Sequence, residues 1–177
     1  MLNKHKEPSF LTMINLFTVS VLIVLLDQFS KFIVQSALVP GVPVPVIKGF
    51  FYLTLVYNRG AAFGFFQGAT SILIFVSLVC IVGIIFLTKR DAFLLKFFGL
   101  DIGEWSVRFS LSLILGGAFG NLIDRLRFSC VVDFLDFHIW PALNLTWPAF
   151  NLADSAITIG GVMVFLKIIK QERKDRL

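Results

Sequence analysis

Two aspartates in apolar surroundings are the residues of this 177-residue chain best suited to chemistry. Asp133 lies in the run Val-Val-Asp-Phe at 131–134, and Asp154 ends the run Phe-Asn-Leu-Ala-Asp at 150–154. Two carboxylates in a partly desolvated pocket do not both ionise easily, so one keeps a proton. The ionised acid can then activate water while the protonated acid polarises a peptide carbonyl, as in aspartic proteases. Residue types alone leave proteolysis and a transporter-like ion relay both open.

The elements that must position these acids are membrane helices. Hydrophobic residues make up 57% of the chain, charged residues only 15%, and the mean hydropathy is +0.87. A soluble domain of this size cannot bury that much apolar surface, because small domains bury only about two-thirds of what the unfolded chain exposes. The composition therefore excludes a soluble enzyme, an ordinary nucleic-acid binder and a disordered regulator.

Four apolar stretches approach the length of about 20 residues that a bilayer-spanning helix needs. We expect a single integral membrane domain over 1–177, with a retained first helix instead of a cleaved signal peptide. The predicted helices cover about 10–34, 70–88, 105–124 and 152–170. The segments of about 35–69 and 125–151 then lie outside the membrane on one side. The alternating prolines of 39–46 predict extended chain, and the aromatic and β-branched run 51–57 predicts a strand.

The basic residues give the orientation, because Lys and Arg concentrate in cytoplasmic segments. Of the 16 Lys and Arg residues, all fall on the side of the two termini except Lys31, Lys48, Arg59, Arg125 and Arg127. Both termini should therefore be cytoplasmic, and the two longer connecting segments should lie on the outer side.

This topology places acids from three helices near the outer face, namely Asp27, Asp124 and Asp154. A charge at the centre of a membrane helix costs about 2.5–3.5 kcal/mol on insertion scales, so such residues usually face the bundle interior and serve function. They could instead form structural ion pairs. Lys31 stands four residues after Asp27 on the same helix face, and Arg125 directly follows Asp124.

Metal and disulfide chemistry have no support in the sequence. The chain has only two histidines and two cysteines, Cys80 and Cys130, and lacks the spacings of protein-bound zinc. We expect no metal, no disulfide and no elbow-mounted serine nucleophile.

Five blocks resemble the lipoprotein signal peptidases, the type II signal peptidases of bacteria, and they run in family order along almost the whole chain. They are Asp-Gln-Phe-Ser-Lys at 27–31, Asn-Arg-Gly-Ala-Ala-Phe at 58–63, Gly-Gly-Ala-Phe-Gly-Asn-Leu-Ile-Asp-Arg at 116–125, Val-Val-Asp-Phe at 131–134 and Phe-Asn-Leu-Ala-Asp-Ser at 150–155. Each block alone would be weak, but five in this order across four spans are highly specific.

The resemblance implies that Asp133 and Asp154 are the catalytic pair, and that Asp136 is not part of it. It also implies a set of supporting or substrate-binding residues: Asp27, Lys31, Asn58, Arg59, Gly60, Asn121, Asp124, Arg125 and Asn151.

The fold that the resemblance implies is an all-α polytopic membrane protein of four helices, with a small extracytoplasmic β-like cradle and a short outer helix. The stretch 135–149 is longer than usual in that family and bears on the shape of the outer lid, and we expect turns in it at Trp140-Pro141 and Trp147-Pro148.

The activity that it implies is that of an aspartyl endopeptidase of the bacterial inner membrane. Such enzymes cut the signal peptide from a prolipoprotein just before a cysteine that carries diacylglycerol. We expect no metal or organic cofactor, no nucleic-acid partner, contact with membrane lipid, a monomer, and an active site near the outer face.

Two other functions compete with this one. An ion relay would need polar groups across the membrane, whereas the second helix has no charged residue and the others carry acids at one end. A noncatalytic scaffold that presents its aromatic outer loops would tolerate Asp133→Asn and Asp154→Asn.

Overall fold

Four long helices and a four-stranded sheet make up the described part of the chain. The computed structural model describes residues 10–60, 66–88, 100–102, 104–140 and 145–175. In chain order the elements are α1 (Phe10–Ala37), β1 (Val44–Ile47), β2 (Phe51–Asn58), α2 (Thr70–Thr88), α3 (Trp105–Phe128), β3 (Val131–Trp140), β4 (Leu145–Phe150) and α4 (Leu152–Asp175). Each of the four helices is long and apolar enough to cross a membrane, so the chain has four helices that could span it.

Three helices continue further along the chain than the expected limits of 34, 124 and 170. α1 reaches Ala37, α3 reaches Phe128 and α4 reaches Asp175. The expected limits marked the ends of the apolar patterns, but a helix continues past the apolar stretch until its backbone hydrogen bonds are interrupted. α3 ends where Ser129 adopts a left-handed conformation, with its N–H donating to the Arg125 carbonyl.

α3 is the central helix of the bundle. In the most apolar stretch of α3, 67% of the residues are buried inside the protein, whereas in that of α2 only 6% are buried. Small residues allow this close packing, because a Cβ on Gly116 would lie 2.7 Å from the Ser20 carbonyl oxygen of α1. On the other side of α3, a Cβ on Gly117 would lie 2.4 Å from the Ala153 carbonyl oxygen of α4. α1 and α4 are therefore held against α3, whereas most of the surface of α2 is free to contact lipid.

The sheet is antiparallel in the order β1-β2-β3-β4. It packs against the end of α1 through an apolar cluster of Val34, Leu55, Val132 and Phe134. β3 follows α3 after two residues, and β4 leads through Asn151 directly into α4. This connectivity places Asp133 of β3 close to the start of α4.

β1 and β2 fit the sequence predictions of extended chain in 39–46 and a strand in 51–57. β1 is an edge strand, the position where Pro45 is tolerated.

Within the stretch 135–149, residues 135–140 belong to β3 and residues 145–149 belong to β4. We expected turns at its two Trp-Pro pairs, but Pro148 lies within the edge strand β4. A proline on an edge removes no ladder hydrogen bond. Within the described residues no short outer helix lies between the spans, and residues 61–65 and 141–144 fall outside that description. The extracytoplasmic position of the sheet stays a prediction.

Candidate active site

A cavity of about 380 Å³ lies between the sheet, α3 and α4, and both Asp133 and Asp154 line it. Asp133 comes from β3 and is 2% exposed, whereas Asp154 comes from the first turn of α4 and is half-buried. Asn58, Gly60 and Arg125 also line this cavity. Two different elements, β3 and α4, thus bring the two predicted acids to the same cavity.

Asn151 joins the two carboxyl groups. Its side-chain Nδ2 donates to Asp133 Oδ1 at 2.7 Å, and its backbone N donates to Asp154 Oδ2 at 3.3 Å. In return, the Asp154 backbone N donates to Asn151 Oδ1 at 2.9 Å. This reciprocal pair is a capping box, which satisfies free N–H groups at the start of a helix. The same residues that begin α4 therefore fix both acids.

Two further asparagines donate to the carboxyl oxygens that Asn151 does not contact. Asn58 Nδ2 of β2 donates to Asp133 Oδ2 at 2.9 Å, and Asn58 Oδ1 accepts from the Gly60 backbone N at 2.9 Å. Asn121 Nδ2 of α3 donates to Asp154 Oδ1 at 2.8 Å. Each carboxyl group is thus fixed by amide donors from two different elements.

The environment of Asp133 favours its protonated form. Burial, and then the nearby charge of Asp154, raise its pKa from 3.8 to about 7, against the opposing hydrogen bonds from Asn58 and Asn151. Near neutral pH one carboxyl group can therefore carry a proton while its neighbour is ionised, which is the state that acid–base catalysis by a pair requires.

A buried ionic cluster lies behind the pair. Lys31 Nζ is 2.8 Å from Asp27 Oδ2 and 2.9 Å from Asp124 Oδ2, and all three side chains are at most 2% exposed. Backbone N–H groups also donate to these acids: Asp27 Oδ1 accepts from the Ala153 N at 3.0 Å, and Asp124 Oδ2, the oxygen beside Lys31, accepts from the Val132 N at 3.0 Å. The cluster therefore joins α1 to α3, to β3 and to the start of α4.

The partner of Asp124 differs from the expected one. Asp27 does pair with Lys31 one turn away, but within the described structure Asp124 pairs with Lys31 of α1 and not with the adjacent Arg125. Adjacent residues on a helix point in different directions, so Arg125 faces the cavity while Asp124 faces α1.

Lys31 also orients the amide of Asn121. Its Nζ donates to Asn121 Oδ1 at 3.1 Å, and an ammonium group can only donate. The amide oxygen of Asn121 must therefore face Lys31, which turns its NH₂ group toward Asp154. Asn151 Nδ2 lies 3.2 Å from the same oxygen and supports this orientation.

Two predicted residues lie away from these contacts. Arg59 is exposed and is not among the described residues that line the cavity, although its carbonyl accepts from the Gly68 N at 3.2 Å. Asp136 accepts from Thr54 Oγ1 at 2.7 Å and lies 3.3 Å from His138 Nε2. Asp136 is not among the described residues that line the cavity.

Gln28, which the sequence patterns do not single out, also belongs to the ionic cluster. Its Nε2 is 2.9 Å from Asp124 Oδ1, 3.2 Å from Asp27 Oδ2 and 3.1 Å from the Gly120 carbonyl oxygen. Its position next to Asp27 in an apolar helix indicates a functional role, because polar side chains at membrane depth usually face the bundle interior.

Within the described residues, no group of three or more His, Cys, Asp or Glu side chains is arranged to hold a metal ion.

Comparison with known proteins gives a consistent result. The family model described as signal peptidase (SPase) II matches residues 19–170. The lipoprotein signal peptidase of Halothermothrix orenii is 41% identical over 157 residues, which cover 89% of this chain and 97% of that protein. That of Caldanaerobacter subterraneus subsp. tengcongensis is 43% identical over 150 residues, covering 84% of this chain and 92% of that protein. A solved bacterial membrane enzyme, determined by the in meso method, has a TM-score of 0.78 at 28% identity and covers 96% of this chain and 94% of its own.

Proposed function

This chain belongs to the signal peptidase II family of lipoprotein-processing proteases, and we propose that it is an aspartic endopeptidase acting on diacylglyceryl-modified prolipoproteins. It cuts the signal peptide immediately before the lipidated cysteine. The observation that carries this proposal is the cavity in which Asp133 and Asp154 share hydrogen bonds from one residue, Asn151. This arrangement fits a catalytic pair better than two independent structural acids.

The proposed mechanism has no covalent intermediate. Ionised Asp154 accepts a proton from water as the water oxygen attacks the scissile carbonyl carbon, and protonated Asp133 donates its proton to the developing oxyanion. In the second step Asp154 gives its proton to the leaving nitrogen. Asp133 recovers a proton from a hydroxyl of the tetrahedral intermediate as the C–N bond breaks. Both acids return to their starting states.

The assignment of the two roles rests on the surroundings of each acid. The raised pKa of Asp133, about 7, lets a substantial fraction of the molecules keep a proton on this acid at neutral pH. Asp154 lies in the first turn of α4, where the positive end of the helix dipole faces its carboxylate. Arg125 adds a positive charge to the same cavity.

The cavity suits a substrate that arrives through the bilayer. Ile157 and Ile159 of α4 form part of its wall, and Ile159 is also 54% exposed on the outer surface of that helix. A wall of this kind lets apolar groups approach from the lipid side, while the asparagines and acids hold the peptide and water. A monomer as the working unit is also part of the proposal.

The orientation forms part of the proposal. We place both termini in the cytoplasm and the acid pair with its sheet near the outer face of the bacterial inner membrane. The basis is the concentration of Lys and Arg on the side of the termini.

The proposal is tested with purified protein in detergent and a prolipoprotein offered with and without its diacylglyceryl group. We expect the lipidated precursor alone to be cut, and mass spectrometry to show a product that begins with the modified cysteine. Failure of a folded sample to cut either precursor would contradict the proposal and would favour the ion relay or the scaffold.

A further inference from the structure

A second cavity, of about 250 Å³, lies between α3 and α4 at the opposite end of these helices from the acid pair. Ser106 and Val107 of α3 line one side, and Met163, Lys167 and Lys170 of α4 line the other. The mechanism proposed above uses none of these residues.

The polar part of this cavity is basic. Lys167 forms an ion pair with Glu104, the residue that precedes α3. Lys170 is exposed and makes no ion pair within the described part of the chain. Glu104 balances the charge of Lys167, so among the described side chains around the cavity the positive charge of Lys170 is not balanced by an acid. The Ser106 hydroxyl is 3.5 Å from Glu104 Oε2, a distance at which a hydrogen bond is weak.

The rest of the cavity is apolar and faces the surroundings of the helices. Val107 is fully buried at its floor, Met163 is half-buried and Leu166 is 58% exposed. α3 and α4 are both long and apolar enough to span a membrane, so this exposed apolar wall is in contact with lipid chains. One cavity therefore combines a cationic end with an apolar wall.

We propose that this cavity binds an anionic phospholipid, with the phosphate beside Lys170 and Ser106 and one acyl chain along Met163 and Leu166. Basic pockets between membrane helices recognise acidic lipid head groups in this way. The apolar wall favours a lipid over a free anion, because inorganic phosphate would gain nothing from Met163 and Leu166. A bound lipid would join the ends of α3 and α4, the two helices that carry Asn121 and Asp154.

The test counts lipids bound to the full chain by native mass spectrometry in a neutral detergent. Phosphatidylglycerol is compared with phosphatidylcholine in wild type, Lys170→Gln, Met163→Trp and Lys48→Gln. Lys48→Gln is the matched control, because it removes the same charge from an exposed site in the turn between β1 and β2. Thermal unfolding of each variant in the same detergent checks that it is folded.

We expect wild type to bind phosphatidylglycerol more tightly than phosphatidylcholine. Lys170→Gln should weaken phosphatidylglycerol binding about fivefold, the loss typical of one basic residue near an anionic lipid surface. Met163→Trp, which fills the cavity but keeps its charge, should also weaken it, and Lys48→Gln should not. Equal binding of the two lipids, or an equal loss in Lys48→Gln, would overturn the proposal. Displacement of the lipid by millimolar inorganic phosphate would show a free-anion site and would also overturn it. Since lipid binding is measured without substrate, failure here leaves the proposed peptidase function standing.

Discussion

At the scale of single residues, the acid pair is held by neutral donors. Asn58, Asn121 and Asn151 fix the carboxyl oxygens without placing a second full charge against them. An arginine or lysine in direct contact would favour ionisation of both acids. Lys31 instead acts through the amide of Asn121, one residue removed from Asp154. The arrangement therefore fixes geometry and still permits one acid to keep its proton.

The raised pKa of Asp133 gives a prediction for the pH dependence of cleavage. Asp133 must be protonated to donate to the oxyanion, so kcat/KM should fall as the pH rises through about 7, where Asp133 loses its proton. The measurement is kcat/KM for a lipidated precursor between about pH 5 and about pH 9. A rate that stays constant across the upper half of this range would contradict the assigned role.

Removal of the lysine from the ionic cluster should strongly destabilise the protein. Lys31→Met leaves Asp27 and Asp124 as buried carboxylates without their cation, and breaking a buried pair in this way costs about 3–5 kcal/mol. Thermal unfolding in detergent should show a lower midpoint for Lys31→Met and little change for Lys48→Met, the exposed control. Equal midpoints for the two variants would show that the cluster contributes nothing to stability.

The residue types of the site could be predicted from the sequence, but several contacts could not. Asp133 and Asp154 stand out because each is an acid in an apolar run. The pairing of Asp124 with Lys31, and the bridge formed by Gln28, depend on how α1 rotates against α3. Packing between the two helices sets that rotation, and the spacing of residues within either helix does not predict it.

At the scale of elements, α3 determines where the site lies. Its glycines let α1 and α4 approach closely, and its last turns carry Asn121, Asp124 and Arg125. Its end at Ser129 directs the chain into β3, which returns Asp133 to the start of α4. The acid pair therefore depends on helix contacts that involve no charged group.

A substitution at the contact of α3 with α4 tests this dependence. Gly117→Ala places a Cβ 2.4 Å from the Ala153 carbonyl oxygen. Because this distance is too short for two non-bonded atoms, α4 must shift away from α3, and Asp154 shifts with it. We expect a loss of stability of about 1–3 kcal/mol, as for other overpacked interiors, together with reduced cleavage. Gly161→Ala is the control on α4, because its Cβ would meet nothing within 4 Å. If both variants unfolded and cleaved like wild type, the close contact would have no importance for the site.

The strands show where reading the sequence succeeds and where it fails. Extended chain near β1 and the strand β2 followed from alternating prolines and from aromatic and β-branched residues. β4 is not predicted from the sequence, because Trp147-Pro148 is typical of a turn, although an edge strand accommodates a proline. Whether a segment lies at an edge is decided by its neighbours in the sheet, which local sequence does not contain.

At the scale of the whole molecule, composition alone gives the class of the protein. A mean hydropathy of +0.87 and four apolar stretches require lipid as part of the solvent, and the four helices agree. The direction in which the chain crosses the membrane is a separate property. We infer it from the basic residues, whose uneven distribution is a physical signal independent of the fold.

This orientation predicts which residues a thiol reagent can reach from outside the cell. In a chain whose native Cys80 and Cys130 are replaced by alanine, Lys48→Cys should react with a membrane-impermeant maleimide in intact spheroplasts. Arg173→Cys should react only after lysis, because α4 would end in the cytoplasm. Labelling of Arg173→Cys before lysis, with Lys48→Cys protected, would reverse the proposed orientation.

The central claim is that Asp133 and Asp154 together perform the cleavage, and one measurement tests it most directly. The cleavage rate of a lipidated precursor is compared for wild type, Asp133→Asn, Asp154→Asn and Asp136→Asn, each checked for folding by thermal unfolding. Asp136→Asn is the matched control, since Asp136 lies on the same strand as Asp133 but outside the cavity. We predict that the first two substitutions abolish cleavage and that Asp136→Asn retains it. Cleavage by a folded Asp133→Asn or Asp154→Asn protein would contradict the account.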